Sequence, residues 1–540
     1  MIRWPWIRWP WATALLALAL AASLPAQQNP APAPRPAPPA AQSPVQAPNA
    51  GPDGGVGDFF AYNPRARTAA AIPTLGPPVV THHQITLAGK TLSYTARVGM
   101  MPIANATTGV VEGYLNYTYY SEDGVADPTT RAISYCFNGG PGAGTLWLHL
   151  GAFGPERIQL EPNGRAVPPY TYAPNPDTLL DQTDLVFVDA MGTGWSRPTK
   201  PQYGPDFWGV KNDIAAFGEF VRSFTNQYNR WGSPIFLVGE SYGTTRAAGL
   251  SGYLTDHDMP VRGVFLLSTV INSQAGEGDL GAVNALPTQA MTAWYHHKVA
   301  PNLQKLNADQ MSRAAVEFAA TDYLSALYEG ARMTPEQRAK ALNELHQFTG
   351  LAVDFLAQND LKVSLDQFST ELLRSQHEMT SRLDSRLDGY LPNGGSQTTP
   401  FDFSLANAEN AFLTAYERYM RDELHYVNND IYYALGGGIG RWTGSYDTAG
   451  DLTEAFAKNP GMKLMVAMGY YDFATPYGAV EWTLAHLKVS PQIRKNNIMV
   501  GHYQAGHMVY LDHAAADKMR ADLRRFYTGA LASAPGGALR

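Results

Sequence analysis

Three side chains that could act together on a carbonyl group lie far apart in the chain, each directly after an apolar run. Ser241 sits in Gly239-Glu240-Ser241-Tyr242-Gly243, Asp472 in Gly469-Tyr470-Tyr471-Asp472-Phe473, and His507 in Ala505-Gly506-His507-Met508-Val509. A serine hydroxyl is a weak nucleophile near neutral pH and needs an imidazole within hydrogen-bond reach to take its proton. The imidazole needs a carboxylate that fixes its tautomer and stabilises its cation. These residue types therefore point to acyl transfer through a covalent intermediate. His502 and His513 compete with His507 for the role of base. A zinc site built from the three histidines lacks the carboxylate or cysteine pattern that would complete it, so no metal is expected.

Such residues need a scaffold that brings them to one place. Residues 235–238 read as a buried strand and 244–254 as a helix, so Gly-x-Ser-x-Gly lies between strand and helix, where a nucleophile elbow belongs. An ordinary strand-to-helix turn is the plain alternative. Residues 132–137 form another apolar strand, ending in Asn138-Gly139-Gly140-Pro141-Gly142-Ala143-Gly144. So many glycines mark backbone that must approach something closely, and in a hydrolase of this kind that loop supplies one N–H of an oxyanion hole. Further buried strands are expected at 185–189, 264–271, 463–470 and 497–501, with a helix over 213–228. Segments 84–87, 91–97 and 113–120 alternate like an antiparallel meander.

This alternation implies an α/β fold with a mainly parallel central sheet and helices on both faces. From about 287 to 426 the pattern becomes helical, with helices expected over 308–328, 335–348, 365–387 and 405–426, forming a cap. Within it, Asp384-Ser385-Arg386-Leu387-Asp388 reads as a solvated, salt-bridged face. A last helix is expected over 511–530. The order serine, aspartate, histidine is that of α/β-hydrolases, the fold expected here. The implied organisation is a signal peptide at 1–26, a Pro/Ala-rich linker at 27–75 and the core at 76–275. A helical cap insertion at 276–435, the rest of the core at 436–530 and a tail at 531–540 complete it.

Composition narrows the function. A hydrophobic fraction of 45% in 540 residues supports a full core, and a net charge of −7 without a basic stripe argues against nucleic acid as partner. Arg3, Arg8, the apolar run 12–24 and Pro25-Ala26-Gln27 resemble an export signal, with a retained anchor as the alternative. No later stretch approaches a membrane span, so no stable membrane insertion is expected and the protein is read as periplasmic or extracellular. The single cysteine, Cys136, cannot form an internal disulfide and reads as a small core hydrophobe inside its strand. Asn105 and Asn116 head glycosylation sequons.

Together, the glycine block from Asn138 to Gly142, the Ser241 elbow and the Asp472 and His507 blocks resemble the signature segments of the serine carboxypeptidase family. The stretch from Asp189 to Ser196 is similar to a fifth, here one residue shorter and without its proline. The resemblance spans about 81–529. It implies Ser241 as nucleophile, His507 as base and acid, and Asp472 as its orienting carboxylate. It also implies an oxyanion hole from the amides of Gly140 and Tyr242, and a substrate-carboxylate site of Asn138, Gly139 and Glu240. A carboxyl can hydrogen-bond to a bound carboxylate only when protonated, so an acidic optimum is expected. Cys136 stands where the family commonly has tryptophan, and Ala152, by residue count, where better-known members have a supporting glutamate.

The expected function is that of an exported serine carboxypeptidase acting on peptides with a free C-terminus, without cofactor; family members often form dimers, so a homodimer is expected. An esterase or acyltransferase using the same three residues is the enzymatic alternative. A non-catalytic binding protein on the same scaffold is the remaining one.

Overall fold

The computed structural model describes residues 76–391 and 401–532. The expected signal peptide and linker, with residues 392–400 and 533–540, lie outside them. Strands β1 (Val79–Leu87), β2 (Lys90–Ala104) and β3 (Val111–Glu122) form the antiparallel meander. Six more follow: β4 (Ile133–Phe137), β5 (Asp184–Val188), β6 (Ile235–Glu240), β7 (Val261–Leu267), β8 (Lys463–Gly469) and β9 (Ile498–Tyr503). The sheet runs β1-β2-β3-β5-β4-β6-β7-β8-β9, with the two-residue strand Arg197–Pro198 against β3. From β5 to β9 every neighbouring pair is parallel. This is the topology of the α/β-hydrolase fold.

Every residue of β4, β5 and β6 is buried, as unbroken apolar runs require when both faces are covered. Alternation along the strands separates two cores. Leu237, Val264, Leu266 and Val466 join the side built from α1 (Val210–Gln227) and α2 (Tyr242–Asp256). Phe236, Val238, Phe265, Leu267 and Met465 join the side that contains the helix His513–Ala532. Cys136 is fully buried in this second core. Because β4 to β9 are parallel, their carboxyl ends share one edge of the sheet, where loops carrying chemistry collect.

Between β7 and β8 the chain holds α3 (Gly278–Tyr295), α4 (Ala308–Phe318), α5 (Pro335–Thr349) and α6 (Phe403–Asp422). Thr334 caps α5, accepting from the Gln337 amide while the Gln337 side chain returns to the Thr334 N–H, with Pro335 starting the helix. The expected long helix over 365–387 is not formed: its helix ends as Leu365–Glu371. Beyond it the chain reverses through His377 at φ 60° and pairs Glu378–Thr380 with Asp388–Tyr390. Helical spacing of Leu and Arg gives way here to hydrogen bonds with the main domain, described below. Asn116 of the second sequon is buried and donates to the Gly99 carbonyl at 3.1 Å, so it offers no attachment point.

Asp189 follows β5 with its carboxylate wholly buried. It accepts from the Thr145 N–H at 2.7 Å, the Tyr432 hydroxyl at 3.0 Å and the Trp195 N–H at 3.4 Å. It thus ties the end of the glycine loop to the chain beyond α6. Burial pushes this carboxyl up to about 6, against the pull of its donors. At Gly194, where φ is 48°, a Cβ would fall 1.7 Å from Asp189 Oδ2, so no other residue fits. Asp189→Ala is expected to lower the free energy of unfolding in urea by about 3 kcal/mol or more, because it strands three buried donors. Asp189→Asn, which keeps an acceptor, should lose less.

Candidate active site

The elbow forms where β6 hands over to α2 within one residue. Ser241 caps the helix at φ 58° and ψ −130°, a conformation that costs free energy for any residue but glycine. Its surroundings over-determine it. The Ser241 N–H donates to the Leu267 carbonyl at 2.9 Å, and its carbonyl accepts from the Thr244 N–H at 2.8 Å and the Thr244 hydroxyl at 2.6 Å. Ser241 itself is half-buried, at the positive end of α2.

The glycine loop closes on this elbow because β4 and β6 are in register, Phe137 opposite Gly239. A Cβ on Gly139 would lie 2.4 Å from the Tyr242 nitrogen and 2.7 Å from the Glu240 carbonyl oxygen, so backbone meets backbone there. Among the described residues, neither the Gly140 nor the Tyr242 amide donates to a protein acceptor. Loop and helix are locked by Arg246, one turn into α2 and fully buried. Its guanidinium donates to the Asn138 carbonyl at 2.8 Å and forks onto Asp213 of α1, at 2.8 and 3.2 Å. The Tyr242 hydroxyl donates to the same Asp213 carboxylate at 3.0 Å.

Asp472 and His507 follow β8 and β9. His507 Nδ1 lies 2.8 Å from Asp472 Oδ2. Asp472 also accepts the Ala474 and Thr475 N–H groups at 2.8 and 3.0 Å and the Thr475 hydroxyl at 2.5 Å. Burial alone would push Asp472 up, but His507 and these donors outweigh it and hold it below the usual carboxylate range. Burial alone would push His507 down, but Asp472, then Glu240, leave it above its ordinary value. Ser268, the residue after Leu267, donates its hydroxyl to the His507 carbonyl at 2.6 Å, fastening the histidine loop beside the elbow. His502 instead pairs with Glu481 at 2.8 Å. Among the described residues no group of three His, Cys, Asp or Glu could hold a metal ion.

The segment expected as a solvated face is drawn into this site. The Leu383 carbonyl accepts the His507 N–H at 2.6 Å, the Arg382 carbonyl that of Phe473 at 3.0 Å, and the Ser385 N–H donates to Tyr471 at 3.0 Å. Arg386 bridges Asp384 at 2.7 Å and Asp512 at 3.0 Å with only 15% of its side chain exposed. The salt bridges exist, but they pin the insertion to the Asp472 and His507 loops rather than facing water.

Glu240, next to Ser241, is buried and feels the charges of both His507 and Asp472. It accepts from Asn138 Nδ2 at 2.5 Å and from the Tyr510 hydroxyl at 3.0 and 3.2 Å. Burial pushes its carboxyl up to about 7, although His507, Tyr510 and Asn138 pull the other way. The structure thus pairs the imidazole of His507 with the Asp472 carboxylate and places a buried carboxyl, whose charge burial disfavours, directly before Ser241. Tyr510, Thr475 and Ser268 escaped the sequence reading. Tyr510 and Thr475 lie within three residues of His507 and Asp472, which is the only signal that marks them.

A family model described as Serine carboxypeptidase matches residues 111–516. A protein of Arthroderma benhamiae described as "Probable serine carboxypeptidase" is 29% identical over 150 residues, 27% of this chain and 26% of that relative. The match thus spans about a quarter of the relative's length. Among solved structures, Kex1(delta)p, a prohormone-processing carboxypeptidase from Saccharomyces cerevisiae, is 16% identical. That match covers 80% of this chain and 91% of that one, with a TM-score of 0.48. A bacterial heroin esterase is 10% identical, covering 80% and 84%, with a TM-score of 0.33.

Arg246→Met leaves Asp213 as an uncompensated buried charge and releases the Asn138 loop. It should destabilise the fold by about 3–5 kcal/mol in denaturant titration, and adding Asp213→Leu should recover part of that loss.

Proposed function

The chain belongs to the serine carboxypeptidase family, and from that membership we propose that it is a serine-type carboxypeptidase releasing C-terminal residues from peptides. The observation that carries this reading is Glu240, a buried carboxyl held by neutral donors directly before the nucleophile. Ser241 attacks the scissile carbonyl while His507 takes its proton through Nε2, since Nδ1 is engaged by Asp472. His507 returns the proton to the leaving amine, and water then hydrolyses the acyl-enzyme by the same route. The Gly140 and Tyr242 amides stabilise the oxyanion. The helical insertion is the cap that limits which chains enter. Export on the 1–26 leader, to the periplasm or outside the cell, and a homodimeric state are parts of the same proposal.

Asn138, Gly139 and Glu240 receive the substrate's terminal carboxylate. Glu240 can donate to that carboxylate only with its own proton in place, whereas two negative charges in a dry pocket repel. It holds the proton below about 7 and loses it as pH rises through that value, so capture of free-acid peptides weakens there. His507 must be unprotonated to act as base, and Asp472 holds its titration above the ordinary histidine value, which sets the acid limb. The two limbs therefore close on a range near neutrality, less acidic than the optimum expected from the sequence.

The test is the pH dependence of kcat/KM on a free-acid peptide. The rate should fall through about pH 7, and Glu240→Gln, which cannot ionise, should flatten that limb. Ser241→Ala should lower kcat by roughly 10⁴-fold or more. A wild-type rate climbing steadily to about pH 9, far above a normal carboxyl value, would contradict the role of Glu240. Faster turnover of simple acyl esters, with peptide cleavage untouched by Glu240→Gln, would favour the esterase or acyltransferase. Failure of a fluorophosphonate to label Ser241 would favour the binding protein.

A further inference from the structure

Glu240 is held from two directions. Asn138, from the loop after β4, donates to Oε2 alone, while Tyr510, in the turn Val509–Leu511 after β9, reaches both oxygens. The Tyr510 side chain is buried, and its ring fills the space over Gly151, where a Cβ would lie 2.5 Å from Tyr510 Cε2. The ring is thus packed against the Gly151 backbone while its hydroxyl meets Glu240. The charges facing Glu240 are His507 and Asp472. Asp213 and Arg246 pair with one another on the far side of Asn138, and Asp512, two residues past Tyr510, is engaged by Arg386.

We infer that Tyr510 is a positioning residue for terminal-carboxylate capture, its phenol O–H forked over Glu240 and competing with the proton that Glu240 must offer to substrate. The inference rests on the reading of Glu240 given under Proposed function. The phenol cannot itself ionise in the working range, because burial and then Glu240 hold it far above its usual value. When Glu240 is ionised, the Tyr510 proton is directed at the carboxylate and stabilises that charge. When Glu240 is protonated, the hydroxyl oxygen is free to accept instead, and the phenol proton can turn toward the incoming carboxylate. A neutral donor thus tunes a titrating one.

The sign of the effect follows. A donor to the ionised form favours ionisation, so removing it lets Glu240 keep its proton to higher pH. In Tyr510→Phe, which retains the ring over Gly151, the alkaline limb of kcat/KM for a free-acid peptide should move up by roughly one pH unit. An N-acyl amino-acid ester substrate without a free carboxylate should show no such shift. Site-specific replacement of Tyr510 by 3-fluorotyrosine, a stronger donor of nearly the same shape, should move the limb the opposite way. An unmoved limb in both variants, or shifts of equal size on the ester, would overturn the role of Tyr510. If the wild-type enzyme shows no limb that separates acid from ester, the assignment of Glu240 fails, and that of Tyr510 with it.

Discussion

One residue other than glycine, Ser241, is held at φ 58° between a buried strand and a buried helix, and the site is built around that strain. The turn is tight enough that its flanking backbone comes within contact of the loop after β4, so that loop must be glycine there. The parallel register of β4, β6, β7, β8 and β9 then brings the neighbouring loops to the same edge. Ser268 and Leu383 complete the enclosure through main-chain carbonyl and amide of His507. Strain of this kind persists only where surrounding structure fixes it, and here Leu267 on one side and Thr244 on the other do so through three hydrogen bonds.

Four buried carboxyls near this edge are satisfied in four different ways. Asp213 has a fully buried arginine. Asp472 has a histidine, a hydroxyl and two amides, and stays ionised. Asp189 has three neutral donors and ties the end of the glycine loop to the chain beyond α6. Glu240 has an amide and a phenol, and burial disfavours its charge, with an aspartate nearby. Environments that separate the titration of neighbouring carboxyls are how one fold assigns them different tasks. Asp472 is suited to orient a cation and Glu240 to offer a proton.

Much of this was legible in the chain. Unbroken apolar runs ending at Glu240 and Gly469 require strands buried on both faces, and glycines after Phe137 require close backbone contact; both are present. What could not be read depends on tertiary contact. The Leu and Arg spacing over 365–387 suits a helix, but the carbonyls of Arg382 and Leu383 are used by Phe473 and His507, which lie 91 and 124 residues further along the chain. Arg386 reads as a surface charge until Asp512 is seen to share it. Tyr510 carries no motif, because a phenol pointing at Glu240 looks in sequence like any core aromatic. The block from Asp189 to Ser196 was visible as a pattern, but its structural purpose shows only through Thr145 and Tyr432.

The central claim is that a hydrolytic centre recognises a chain end by its free carboxylate. The most direct measurement compares cleavage of a peptide and its C-terminally amidated twin at about pH 6.5, between a free carboxyl's ordinary range and the loss of the Glu240 proton near 7, with products followed by mass spectrometry. The account requires stepwise loss of single residues from the free acid and a kcat/KM lower on the amide by roughly two orders of magnitude or more, up to the roughly 10⁴-fold that follows when a pocket's buried polar groups are left unpaired. Equal cleavage of the two peptides would contradict it.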